Sequence, residues 1–196
     1  MPVPSSSQSR RVRAGAWFGR FRRNEQGAIA LEAIILAPLL LWCFVAMFSF
    51  FDMLRMQSMN QKATFTVADA YSRETNKIDD TFVTNSFSLM KSLVRHHNLQ
   101  MRVSVLDYNA DEDRYVVKWS KVRGASGQDP LSDTSATAMR EKLPLISSGD
   151  EFILFETWND YQLPFKIGMD DFEMRTRLFM NPRFTSQLKW DDGTPS

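Results

Sequence analysis

No charged residue interrupts the chain from Ala33 to Phe51, a run of 19 residues. About 18 consecutive apolar residues suffice for a helix that crosses a bilayer. A helix begun at Ala28 reaches Phe51 in 24 residues, about 36 Å at the usual rise. The hydrocarbon core is about 30 Å thick, so residues 28–52 are long enough to span it with some tilt. The run exceeds the roughly 7–15 residues of a secretory h-region, and SFFDMLRMQS after it offers no small-x-small cleavage site. The expectation is a retained anchor.

Charge orients the span. The net charge of +1 is unevenly divided: Arg10, Arg11, Arg13, Arg20, Arg22 and Arg23 precede the run against only Glu25 and Glu32, and acids outnumber bases beyond it. Arginines before a first span keep that side in the cytoplasm. Residues 1–16 are Pro-, Ser- and Arg-rich and too polar to build a core. Trp17, Phe18 and Phe21 suit the headgroup belt, and the arginines suit anionic membrane lipid. Without a folded basic domain to hold them, nucleic acid is not an expected partner.

Two residues inside the run are chemically out of place. Glu32 carries a carboxylate into the apolar segment. An acid at the bilayer centre costs about 2.5–3.5 kcal/mol on insertion scales, so such groups face a partner or water; near the interface Glu32 would simply snorkel. Pro38 removes a backbone donor and clashes with the carbonyl of Ile34, which membrane helices tolerate, usually with a kink. Cys43, the single cysteine, lies in the same run and reads as a small hydrophobe.

RFRRNEQGAIALEAIILAPLLL, with Gly27 directly before the apolar segment and Glu32 five residues later, resembles the N-terminus of type IV pilin-like proteins, specifically the TadE-like pseudopilins of the tight-adherence (Tad/Flp) pilus. GDEFILFETWNDYQLPF (with Glu156, Tyr161 and Pro164) and MRTRLFMNPRF (with Pro182 and Arg183) resemble later stretches of the same proteins. The resemblance implies cleavage by a prepilin peptidase between Gly27 and Ala28, and a mature Ala28 amine paired with Glu32 of a neighbouring subunit. It implies four protein partners: the peptidase, a second TadE/TadF-like pseudopilin, the major Flp pilin and the inner-membrane platform. It places the outer domain in a bacterial periplasm and implies a pilin-like fold. Ala33 stands where major pilins of the system often carry an aromatic, which favours a minor pseudopilin. The alternative is an unprocessed single-pass scaffold or sensor with a periplasmic binding domain. The roughly 25 residues before the span are too few for a folded signalling domain, which weakens the sensor version.

The remaining sequence predicts an α+β chain. Met56, Met59, Ala63, Val67 and Tyr71 recur at helical spacing, and no Gly or Pro occurs from Asp52 to Glu74. One helix over residues 28–75 is expected, apolar first and then amphipathic. A second helix, capped by Asp79 or Asp80, runs to about His97 with Phe82, Val83, Phe87, Leu89, Met90, Leu93 and Val94 as its apolar contacts. Adjacent His96 and His97 point about 100° apart and make a poor metal pair. Met101, Val103 and Val105 alternate with Arg102 and Ser104, and Tyr115, Val117 and Trp119 form a second alternating set: a hairpin with an acidic loop. That loop lacks the calcium-binding pattern.

Arg123 to Ser135 reads as a loop, Ala136 to Leu143 as a short helix ended by Pro144, and Ser147 to Gly149 as a turn. Residues 150–158 and 171–180 read as strands, the last with Phe172, Met174, Thr176, Leu178 and Met180 on one face and Glu173, Arg175 and Arg177 on the other. The outer domain is expected over residues 76–188, with 189–196 a fraying tail. Helices and strands without β-α-β alternation indicate an antiparallel sheet packed on helix. No phosphate loop, metalloprotease motif, cysteine pair or nucleophile elbow occurs, so neither cofactor nor catalysis is expected.

Overall fold

The computed structural model describes residues 25–94, 98–124, 127–144, 146–165, 168 and 170–193. The leader before Glu25 and the expected helix end at His96 and His97 lie outside them. The chain divides into two compact units, residues 1–50 and 51–196.

Helix α1, Glu25–Arg73, begins three residues before Ala28, and Pro38 sits inside it without ending it. From Ile29 to Phe50 nearly every side chain is exposed. The helix contains a stretch long and apolar enough to cross a membrane. Ser49 donates its hydroxyl to the Val45 carbonyl at 3.0 Å, which satisfies the group without a partner chain.

The second unit holds the rest. Helix α2 spans Asp80–Val94. Asp79 is its cap: Asp79 Oδ1 accepts from the Phe82 amide at 2.7 Å. Val83, Ser86, Met90 and Val94 face inward, whereas Leu89 and Leu93 are exposed. Only one helical stripe reaches a neighbour, so these two leucines contribute no core.

Four strands follow: β1 (Leu99–Asn109), β2 (Arg114–Gly124), β3 (Glu151–Tyr161) and β4 (Phe172–Met180). All neighbours are antiparallel, in the order β2-β1-β3-β4. The long N-terminal apolar helix and this sheet make the chain α+β.

One sheet face packs on helix. Ala63, Val67 and Tyr71 of α1 join Val83, Met90, Met101, Val103, Val105, Ile153 and Phe155 in the main core. The Tyr71 ring meets those of Phe82 and Phe155 edge-on, with centroids 4.9 and 5.8 Å apart. Each fully buried large side chain of this kind stabilises by about 1.5–3 kcal/mol. Met56 and Met59 of the expected stripe are only half-buried.

The opposite face is covered too. Arg102 and Ser104, the polar residues of the alternating β1 pattern, are buried, because residues 127–144 fold over them. That segment contains α3 (Asp133–Ala138) and a 3₁₀ turn (Arg140–Lys142), in place of the single helix expected over 136–143. Ser132 Oγ accepts from the Ser135 amide and starts α3 early. Leu131, Ala136 and Leu143 close a second core with Leu106, Tyr115, Phe152 and Leu154.

Two further expectations fail. Tyr115, Val117 and Trp119 do not share a face: the β1–β2 register shifts between Val105 and Leu106, which pair with Trp119 and Val117. Lys118 is the extra residue, so Trp119 joins the helix-side core while Tyr115 and Val117 pack on the other face. Such a bulge is invisible to a period-two reading. Residues 189–191, expected to fray, are also anchored. The Ile78 amide donates to the Lys189 carbonyl and the Asp191 amide to the Ile78 carbonyl, both at 2.8 Å. Trp119 Nε1 donates to the Leu188 carbonyl at 2.7 Å.

Candidate assembly surfaces

The residues singled out for processing and assembly all lie on α1. The Gly27–Ala28 bond falls in its first turn, where amides lack intrahelical acceptors and opening costs least. Glu32 and Pro38 are exposed. Among the described residues Glu32 has neither a hydrogen bond nor an ion pair. Positions 28 and 32 are one helical turn apart and share a face.

A second constellation centres on Glu156, in the middle of β3 and fully buried. The register places Arg102 of β1 and Arg177 of β4 directly across from it. Arg102 donates to Glu156 Oε2 through Nε at 2.9 Å and also through Nη2. Arg175 Nη2 at 2.7 Å and Arg177 Nε at 2.9 Å share Oε1. Arg102 and Arg175 both lie over the Trp158 ring, 5.0 and 5.1 Å from its centroid. Burial alone raises the Glu156 pKa, but the hydrogen bonds and charges of Arg102, Arg175 and Arg177 outweigh it and hold the carboxyl below its ordinary range.

Three guanidiniums thus converge on one carboxylate. Asp160 and Glu173, four residues from Glu156 and Arg177 on the same face, form no ion pair with them among the described residues; Asp160 Oδ2 instead accepts from Asn98 Nδ2 at 3.2 Å.

A third set clamps residues 51–73 of α1 onto the sheet. Tyr161 Oη donates to Asp52 Oδ2 at 2.8 Å. Asn60 Nδ2 donates to Thr176 Oγ1 at 3.0 Å, and the hydroxyls of Thr64 and Thr157 lie 3.3 Å apart. At the helix end the Arg183 amide donates to the Ser72 carbonyl at 2.8 Å, and Arg183 Nη1 lies 3.5 Å from Asp69 Oδ1. Arg183 therefore satisfies one of the carbonyls a helix terminus leaves open.

The motif residues Glu156, Tyr161 and Arg183 acquire structural roles here that no spacing announced. Their partners Arg102, Asp52 and Ser72 were not singled out by sequence. One signal was available: an acid in the middle of FILFETW has to be paired if the strand is buried.

Comparison with protein-family models, with curated proteins and with solved structures finds no match for this chain.

Proposed function

We propose that this chain is a minor pseudopilin that takes part in assembling a tight-adherence-type pilus, a structural role rather than a catalytic one. It is anchored once in a bacterial inner membrane, with its N-terminus cytoplasmic and its sheet domain periplasmic. The observation that carries the reading is Glu32: an acid at the fifth position after Gly27, exposed on an apolar helix and without a partner among the described residues. An unpaired carboxylate in lipid is costly. A neighbouring subunit that offers a free amine at the same depth removes the cost for both groups.

In this reading a prepilin peptidase cuts between Gly27 and Ala28. The released leader carries the six arginines, and the new Ala28 ammonium is the cation that a Glu32 in another subunit receives. The exposed apolar side chains from Ile29 onward pack against the helices of the major pilin and of a second pseudopilin. The sheet domain stays in the periplasm beside the inner-membrane platform.

Coexpression with a prepilin peptidase, followed by N-terminal sequencing, tests the reading. A mature chain that begins at Ala28 is the expected result. A retained leader in cells with an active peptidase would instead favour an unprocessed scaffold.

A further inference from the structure

The two edges of the sheet are treated differently. The β2 edge is engaged: the Val117 amide donates to Asp133 Oδ1 at 2.7 Å, and α3 packs alongside. The β4 edge has no neighbouring strand among the described residues. An edge strand leaves alternate amides and carbonyls unpaired along its outer side.

Both faces beside that edge are prepared for contact. On the helix side a groove of about 660 Å³ opens between α1 and β4, lined by Gln61, Lys62, Phe65, Thr176 and Leu178. Phe65 is 52% exposed at its rim. On the other side β4 carries Glu173, Arg175, Arg177 and Phe179 in sequence, the Arg177 side chain being 17% exposed. The Arg175 side chain is 45% exposed, and the carboxylate it touches is shared with two other arginines.

We propose that the free edge of β4 receives an extended strand of another protein, whose side chains are acidic toward Arg175 and Arg177 and apolar toward Phe65 and Leu178. Strand addition supplies main-chain hydrogen bonds, and alternate side chains supply specificity. Period-two alternation sends successive side chains of an added strand to opposite faces, so a single strand meets both surfaces. Opposite charges across a strand pair are favourable and like charges are not.

That charge pattern decides against two occupants from this chain. Its own leader is arginine-rich. A second β4, paired antiparallel over its full length, sets Arg175 against Arg177 twice. The inference stands whether or not the chain is processed after Gly27.

The test uses the full chain in detergent and a dye-labelled peptide, Leu-Val-Glu-Val-Glu-Val-Lys, complementary to Phe179, Arg177, Arg175 and Glu173 read antiparallel. A control peptide has both glutamates replaced by lysine. The acidic peptide is expected to bind at least about tenfold more tightly and to slow hydrogen exchange at amides within 172–180. Arg175→Glu should reverse the preference, and Phe65→Asp should weaken both peptides. Should Arg175→Glu fail to fold, as judged by circular dichroism, Arg175→Gln should reduce the preference. Equal binding of the two peptides, binding without protection of β4, or a peptide-free dimer with β4 already protected would each overturn the proposal.

Discussion

Tyr161 Oη donates a hydrogen bond to Asp52 Oδ2 at 2.8 Å, joining the last residue of β3 to the first charged residue after the apolar run. The bond fixes the end of β3 to the part of α1 that belongs to the second unit. Tyr161→Phe should destabilise the domain by about 1–2 kcal/mol, since a bond to a charged acceptor is lost. Denaturation of the full chain in detergent measures it; an unchanged midpoint would remove Tyr161 from the clamp.

The tyrosines add an alkaline prediction. Burial, and then the hydrogen bond to Asp52, push the Tyr161 phenol up to about 12; burial does the same for Tyr71. Tyr108 is raised mainly by its hydrogen bond to Asp113, and Tyr115 mainly by burial. In the unfolded chain these phenols titrate near 10. The contribution of these tyrosines to stability is therefore complete below about pH 10 and is lost as pH rises through the folded values. Tyrosinate absorbance should show all four tyrosines ionising late in the native protein and together on unfolding.

Glu156 has the opposite sign. Its folded pKa is depressed, so its contribution is complete above the unfolded value, about 4.3, and is lost as pH falls toward the folded one. Glu156→Gln leaves Arg102, Arg175 and Arg177 around a neutral amide. Removing one partner of a buried ion pair costs about 3–5 kcal/mol. Urea titration of the variant at neutral pH should show a loss of that size, with a flatter acid limb.

Trp190 tests whether the C-terminal segment is structural. Its ring lies 5.5 Å from that of Trp119, and Lys121 Nζ sits 4.1 Å above it. Trp190→Ala should cost about 2 kcal/mol and expose the Trp119 side of the core. Faster exchange at the Ile78 amide would be the local readout.

Gly124 closes β2 with φ at 106°, and a Cβ there would sit 2.1 Å from the Leu99 carbonyl oxygen and 2.9 Å from the Phe87 ring. Gly124→Ala should destabilise by at least about 2 kcal/mol. Thermal melts settle this, and a wild-type Tm would show that the hairpin end relaxes freely.

Glu32→Ala addresses assembly rather than folding. If the chain acts as the proposed pseudopilin, cleavage after Gly27 should persist while copurification with a second pseudopilin falls at least about tenfold, because an Ala28 ammonium would be left unpaired in lipid. Unchanged copurification would end the pairing role.

Local pattern alone determined the long helix, its apolar first half, the hairpin and the two later strands, since hydrophobic period and uncharged length are properties of neighbouring residues. It also placed Glu32 on the helix without reference to any other segment, whereas Gly27, expected just before the helix, lies inside it. Tertiary structure decided the rest: that Arg102 is buried, that Lys118 bulges, that residues 189–191 dock on Ile78, and that Glu156 gathers arginines from two other strands. Each of these depends on which strands become neighbours and in what register. Such pairings join residues such as Arg102 and Glu156, 54 positions apart along the chain, beyond the reach of any local period.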